Sequence, residues 1–514
     1  IGNHSRWGVN GDVSGSLNTE GSLRGRIVAG HERSGYMIED AKMRNSSLYA
    51  VAEWDAAPAT TLSVGTQLQN RRETDTPIFL PTAYDSEGYP LKNEISRHAN
   101  NSPKGTSYKY SSRNVFAEVR HRFSPDWKTK LEYNWTRNTI HDRQGYAAMK
   151  TDHDTRQIDL LETDSSEKST THSFAASVDG KYNLLGRKHD ILFGISGFNT
   201  KNRAPSRFAR YDNAFGLHDF LNDRSLRPAN PVPDAEYTAD DDIRARQFGG
   251  YFATRFRPVE RLALIGGARY SRITMQKAEH VAGTNEKVTR SKATPYIGAV
   301  FDLSENLSAY TSYGTSFEPV FDKGQDGRFL KPTTGRNIEI GLKGEFFDQR
   351  LNVSAALFDT RKNGMPKYVE SGDYYVSEDN IRTRGFETEA AGRINDNWFV
   401  SAGYTVQNRK GGEDSYEADL PRHQIKLATT YDLNERLTLG GSLRWQSKTS
   451  NINKSALADE NDAPSLERAR KSATQKAYTL VDLMAAYRIG KNSEATLNVN
   501  NVFNTRYRTL STFL

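Results

Sequence analysis

Between Asn337 and Phe358 apolar and polar side chains alternate, stop, and alternate again. Ile338, Ile340, Leu342 and Phe346 fall on one side of the first segment, and Glu339, Lys343 and Glu345 fall on the other. That is the two-residue period of a β-strand. Asp348, Gln349 and Arg350 break the pattern, after which Leu351, Val353, Ala355 and Leu357 resume the apolar side. Strand, tight turn, strand is therefore the predicted unit. The hairpin alone does not say what covers its apolar side, because a sheet on a core and a sheet in lipid alternate alike.

The same unit recurs from end to end, in "GVNGDVSGSLNTEGSLRGRIVAG", "RNVFAEVRHRFSPDWKTKLEYNW", "PYIGAVFDLSENLSAYTSYG" and "HQIKLATTYDLNERLTLGGSLRW" among others. About ten units predict about twenty strands, each of the roughly 9 to 11 residues expected of an outer-membrane barrel. Long polar connections separate them at 71–112, 138–171, 201–242, 317–335, 362–380 and 448–473. Tight turns on one rim and long loops on the other are the asymmetry of a bacterial transmembrane barrel, with its turns periplasmic and its loops external. Trp54, Phe123, Trp127, Phe256, Phe301, Phe346, Trp398 and Tyr431 all fall close to a tight turn, as an interfacial aromatic belt requires. The predicted fold is thus all-β: a transmembrane antiparallel up-and-down β-barrel, apolar side to lipid and polar side to a lumen. Closure is compulsory, since open edges in hydrocarbon would leave peptide groups unbonded.

Composition narrows the function. The chain has 514 residues, of which 36% are hydrophobic and 26% charged, which is lean for a compact interior. Its longest apolar runs, such as "LALIGGA" from Leu262, fall well short of the roughly 18 residues of a spanning helix. Cysteine is absent, excluding disulfides and thiolate chemistry. A net charge of +7 on 70 basic and 63 acidic residues, without a dense Lys/Arg block, offers no footprint for nucleic acid. No nucleophile elbow of the G-x-S-x-G kind occurs, so no enzyme is expected. "TDHDT" around His153 looks like a metal box but lacks a second spaced His pair, and reads as a solvated loop.

Strand parity bears on the ends. A first strand near Trp7 to Ser16 and a last strand from Ala495 to Tyr507 place both termini on the long-loop rim. Bacterial single-chain barrels have even strand numbers. One further strand at each end would give about 22, the number of plugged outer-membrane transporters, so residues 1–514 read as a barrel fragment carrying about 20 of 22 strands.

Several segments in order resemble the TonB-dependent outer-membrane receptors, in particular their ferric-siderophore branch. "DVSGSLNTEGSLRGRIVAG" from Asp12, "YTSYGTSFEPV" from Tyr310, "RNIEIGLKGEFFDQRLNVSAALF" from Arg336, "RTRGFETEAAGRI" from Arg382, "YTLVDLMAAYRI" from Tyr478 and "LNVNNVFNTRY" from Leu497 carry the resemblance. Nothing resembles the plug domain, the TonB box or the closing strand. The resemblance implies an outer-membrane active transporter for ferric siderophores, energised by the TonB complex through a plug outside this chain. Implied partners are the ferric siderophore, TonB, and outer-membrane lipid with lipopolysaccharide; a monomer without nucleic acid or resident cofactor is expected, iron entering as cargo. The rival readings are a passive porin, a related receptor for haem or a vitamin, and a surface adhesin.

Iron chelates present flat groups, often charged, for which loop aromatics and basic side chains are the expected partners. The loops offer Phe79, Tyr84, Tyr89, Tyr108, Tyr110, Tyr146, Tyr374 and Tyr375. The stretch "NRAPSRFARYDNAF" is the strongest candidate, combining Arg203, Arg207, Phe208, Arg210, Tyr211 and Phe215 in one expected loop. Each aromatic has the plainer alternative of anchoring its loop or the outer interface. On the lumen side Glu118, Arg120, Glu339, Lys343, Glu387 and Glu389 are candidates to face a plug, or else to line water and pair with one another.

Overall fold

The computed structural model describes residues 2–507 apart from 77–82, 92, 93, 97, 101, 103, 224–237, 370, 371, 373, 413–419, 451, 453–455 and 460; the side chains of 144–149, 159–162, 208–214, 220 and 222 also lie outside the description. The strands are β1 Trp7–Ser16, β2 Leu23–Gly35, β3 Lys42–Ala57, β4 Thr60–Thr74, β5 Ser107–Ser124, β6 Trp127–Thr151, β7 Gln157–Leu184, β8 Arg187–Gly216, β9 Ala239–Val259, β10 Leu262–Glu279 and β11 Thr284–Ser304. They continue as β12 Leu307–Glu318, β13 Thr333–Phe346, β14 Leu351–Asn363, β15 Met365–Val369, β16 Tyr374–Glu378, β17 Ile381–Arg393, β18 Trp398–Lys410, β19 His423–Asp432, β20 Leu437–Gln446, β21 Tyr478–Gly490 and β22 Ser493–Val499. Two short helices, α1 Leu217–Asn222 and α2 Ala463–Ala473, sit in long connections.

Twenty strands form one antiparallel sheet in which each pairs with its neighbours along the chain, β14 passing to β17 around the separate β15–β16 hairpin. This is the expected strand number and up-and-down order. In the 337–358 hairpin Phe346 pairs with Leu351, and Phe347, Asp348 and Gln349 take positive φ to close the turn. Ile338, Ile340, Leu342, Phe346 and Leu357 are all exposed, as lipid-facing side chains must be. The belt also stands: Trp54, Phe123, Phe301, Phe346, Trp398 and Tyr431 are exposed beside the tight turns, with Trp398 edge-on to Tyr431 at 6.5 Å. Among the described residues no ladder joins β1 to β22.

Three expectations change. The strands of the twenty-stranded sheet run from 7 to 30 residues, not a uniform 9 to 11, because β6, β7 and β8 continue far beyond bilayer thickness. The expected loop 138–171 is therefore a pair of strands joined at 152–156, and much of 201–242 is the upper part of β8. Above the membrane both faces of a strand meet water, so polar residues on both sides do not end it. The connections 362–380 and 448–473 likewise contain structure, the β15–β16 hairpin and α2. The last strand stops at Val499 instead of reaching Tyr507. There Asp482 accepts the Asn501 N–H at 2.8 Å, Asn501 Oδ1 accepts the Thr505 N–H at 2.9 Å, and Asn501 and Asn504 adopt positive φ, turning the chain away.

Two clusters of buried apolar side chains are built from the long connections and the adjoining strand end of β7. One joins Ala83 and Tyr84 to Ala456, Leu457, Ala469 and Ala473; the other joins Leu91, Ile158 and Leu217.

Candidate functional site

The connection between β4 and β5 makes a tight turn at 85–89. Asp85 organises it: its carboxylate accepts the N–H groups of Glu87 (3.1 Å) and Tyr89 (2.9 Å), and Gly88 takes φ +87°. The second carboxylate oxygen lies 2.8 Å from His153 Nδ1 and accepts from the Arg156 guanidinium at 2.7 Å. Both partners come from the β6–β7 turn, which Asp152 shapes by accepting the N–H groups of Asp154 and Thr155. Arg156 reaches on to Glu94 at 3.3 Å, and His218 of α1 approaches the same carboxylate at 3.5 Å. The "TDHDT" segment is thus a latch between two external connections, and among the described residues no group of three ligands suited to a metal occurs. Burial opposes the charge on Asp85, but hydrogen bonds from His153, Arg156 and two backbone N–H groups outweigh it and hold its carboxyl below the usual range. The hydrogen bond to Asp85 in turn raises His153.

Helix α2 closes over this turn. Asp462 caps it, accepting the Ser465 N–H at 2.8 Å, and Arg470 and Lys471 occupy its last turn, where the helix dipole favours cations. Ala469 and Ala473 are small enough to let the helix rest on the turn around Gly88. Ser472 donates to Gly88 O at 2.9 Å and Arg468 to Glu87 O at 2.8 Å. The Arg468 guanidinium then sits 4.8 Å from the Tyr89 ring, whose other neighbour is the His153 ring at 4.9 Å. Tyr89 remains 42% exposed. An aromatic face flanked by a guanidinium and an imidazole suits a flat, anionic chelate.

The expected binding residues do not all share this place. Tyr84 is 1% exposed and Phe215 packs on Leu91, Ile158 and Leu217, so both hold the external connections together. Asn202 to Phe215 is not a loop but the upper half of β8, paired with β7 through Asp164↔Arg207 and Leu160↔Tyr211. Arg203 lies there with its guanidinium on Asp240 at 2.9 Å. The side chains of Tyr146, Phe208, Arg210 and Tyr211, and all of Phe79, lie outside the described residues. Tyr108 and Tyr110 belong to β5. Tyr374 and Tyr375 open β16 of the β15–β16 hairpin, where the Tyr375 ring lies tilted against that of Tyr368 at 5.1 Å and its N–H donates to Lys323 O at 2.8 Å. His153, Arg156 and Arg468 were missed as site residues; the positive cue was Asp, His and Arg clustered within "TDHDTR", but their shared partner lies 68 residues away from His153.

Lower in the lumen two of the expected charges, Glu118 and Arg120, pair with one another. Glu118 bridges to Arg120 at 2.5 Å and Lys130 at 3.1 Å, and Lys130 reaches Glu132 at 2.7 Å. Tyr310 donates to Glu339, while Lys343 lies over the Tyr310 ring at 4.8 Å. Glu387 and Glu389 occupy the same face of β17. Tyr310 and its neighbours line a lumenal groove of about 470 Å³.

A meandering barrel wall, an aromatic belt, a charged lumen and a loop-built cap define an outer-membrane receptor barrel. Residues 53–502 match the family model described as TonB dependent receptor-like, beta-barrel, and the chain belongs to that family. It is 29% identical to the ferripyoverdine receptor of Pseudomonas aeruginosa, covering 97% of this chain and 61% of that protein, and 28% identical to the ferric-pyoverdine 358 receptor of Pseudomonas putida, covering 99% and 62%. The crystal structure of the P. aeruginosa ferripyoverdine receptor bound to ferripyoverdine superposes with a TM-score of 0.84 at 28% identity, over 98% of this chain and 66% of that one. The chain thus spans about three fifths of the length of these pyoverdine receptors. Its family places it in the outer membrane, and the curated relatives it matches are receptors.

Proposed function

We propose that this chain forms the wall and the external binding surface of a receptor that takes up a ferric siderophore of the pyoverdine type, driven by TonB through a plug seated in the lumen. The observation that carries the reading is the similarity to ferric-pyoverdine receptors along nearly the whole chain, at 26 to 29% identity, against 23% for a ferrioxamine B receptor of Salmonella typhimurium. Tyr89 with Arg468 and His153, and the upper part of β8 with Arg203, Arg207, Arg210 and Tyr211, are the proposed ligand surface. Tyr374 and Tyr375 are a second candidate patch. Glu339, Lys343, Glu387 and Glu389 are proposed to meet the plug.

Growth of a deletion strain under iron limitation, each culture given one purified ferric siderophore, tests this. Loss of growth on a ferric pyoverdine, with rescue by the gene only when TonB is present, is expected. Uptake that persists without TonB would favour the porin reading, and a defect confined to haem would favour the haem reading.

A further inference from the structure

The lumen wall formed by β7 to β11 carries a descending series of cations. Lys292 on β11 stands twelve residues from the tight-turn end of its strand at Ser304, Arg269 on β10 seven from Leu262, and Arg255 on β9 four from Val259. Lys181 on β7 ends the series three residues from Leu184. All four face inward. Arg269 shares a rung with Tyr251, Gly194, Ser177 and the lumenal Lys130; Lys292 is opposite Ser271, and Arg255 and Lys181 share a lower rung with Asp190, each an even number of residues from the first rung. This register gives steps of about 8, 14 and 10 Å between Cα atoms, which the long side chains shorten, and physiological salt screens a charge over roughly 8 Å. Each cation's field therefore reaches toward the next.

Among the described residues none of the four takes part in an ion pair. Asp190, opposite Arg255, is engaged by Arg257 at 3.0 Å, and Asp179 by Lys128 at 3.2 Å. By contrast, the lumenal Arg24, Arg26 and Arg444 are bound to Glu53 at 2.6 Å, Asp12 at 2.6 Å and Asp482 at 3.2 Å. Arg269 is held by hydroxyls instead: Nε donates to Ser271 Oγ and Nη2 to Ser196 Oγ, each at 3.0 Å, with the guanidinium 5.8 Å from the Tyr251 ring. Two glycines make room for this arrangement. A Cβ at Gly249 would stand 2.8 Å from Nη2, and one at Gly194 would collide with the Tyr251 ring, which is thereby free to lie along the wall. Beside them opens a hollow of about 280 Å³ lined by Asn134, Ser173, Ser196 and Gln247. A cation held by neutral partners keeps its charge for an anion that passes, and several weak sites in series let that anion leave again, as conduction requires.

We infer that this sector is the path by which an anionic ferric chelate descends the wall once the plug makes way, handed from Lys292 to Arg269, Arg255 and Lys181. The inference rests on the uptake proposed above. It divides the lumen between two tasks, since the acids proposed to meet the plug, Glu339, Glu387 and Glu389, belong to β13 and β17, outside this sector.

The test uses the full-length receptor in the deletion strain with TonB present and radio-iron-loaded ferric pyoverdine as probe, with binding measured on chilled cells and uptake on energised ones. R255Q/R269Q is expected to keep the Kd of wild type and to lose at least about fivefold in maximal uptake rate, the scale of one hydrogen bond to a charged group. R269K, which keeps the charge, is expected to retain most of the rate. The control K426Q/R488Q, with equal charge loss on lumen-facing residues of β19 and β21, is expected to transport as wild type. An unchanged uptake rate in R255Q/R269Q overturns the inference, as does an equal loss in the control, which would mark the charge of the lumen as a whole. Entry of vancomycin into R255Q/R269Q cells lacking TonB would show that these arginines anchor the plug, and also overturns it. Folding is checked by the heat-modifiable band on unheated gels; should the double variant fail it, R269Q alone is read the same way. If ferric pyoverdine does not enter wild-type cells, the substrate reading fails separately, and the ferric siderophore that supports their growth replaces it as the probe.

Discussion

Asp85 and His153, 68 residues apart in the chain, meet at 2.8 Å between a fully buried carboxylate oxygen and the imidazole Nδ1. With Arg156 on the same oxygen at 2.7 Å, this pair ties the β4–β5 connection to the β6–β7 turn. Substituting Asp85→Asn removes the anion that Arg156 and His153 share, leaving them the longer contacts to Glu94 and Glu87. Arg156 and His153 are both about one-third exposed, which softens the loss, so the expected cost to docking of these segments is about 2 kcal/mol. Hydrogen exchange across 83–91 should rise about thirtyfold, while the wall keeps its protection.

The same pair sets a pH window for the cap. His153 is raised by Asp85, so its contribution is complete below about pH 6.5 and fades as pH rises through the raised value. Asp85 is held low, so its contribution is present above about pH 4 and disappears as pH falls through the depressed value. Proteolysis of the external connections should be slowest between these limits and faster at pH 8.5 than at pH 6. A rate that is flat from pH 5 to 9 in wild type would remove the histidine from this role.

Gly88→Ala separates the cap from the wall. Gly88 has φ +87°, and a Cβ there would lie 2.5 Å from Ser465 O and 2.6 Å from Ala469 N, backbone atoms that cannot move without shifting α2. The expected cost is about 1–3 kcal/mol, confined to docking of α2. Exchange at 463–473 should increase with the heat-modifiability of the barrel unchanged; an altered barrel would mean that the helix supports the wall itself.

On the ligand surface, Tyr89→Ala and Arg468→Ala remove an aromatic face and its cation. Each should weaken binding of the ferric siderophore to whole cells by about tenfold, roughly 1.4 kcal/mol. Lys343→Glu, by contrast, adds a fourth acid to the lumen face that carries Glu339, Glu387 and Glu389. It is expected to leave binding intact and reduce uptake, the split that distinguishes a plug-facing residue from a ligand-facing one.

Ile340→Arg tests which side of the wall meets lipid. Ile340 is 58% exposed near the middle of the apolar band of β13, and a charge at that depth costs about 2–4 kcal/mol. Refolding into lipid vesicles should be impaired, whereas Glu339→Gln, one residue away on the lumen face, should fold nearly as wild type.

The alternation around Ile338, Ile340 and Leu342, the break at Asp348 to Arg350 that makes the turn and the belt from Trp54 to Tyr431 were all legible in the chain, because each is a local consequence of side-chain period and bilayer chemistry. Strand length above the membrane was not, since water accepts polar residues on both faces and nothing in "NTIHDRQGY" marks where a ladder ends. The loop aromatics were visible as a class, yet their division into buried Tyr84 and exposed Tyr89 was not. That division rests on α2 and the β6–β7 turn arriving from several hundred and about seventy residues away. Periodicity determined the wall by itself, because each strand answers to lipid and lumen alone; pairing distant segments decided the cap, because its energy belongs to contacts no single segment contains.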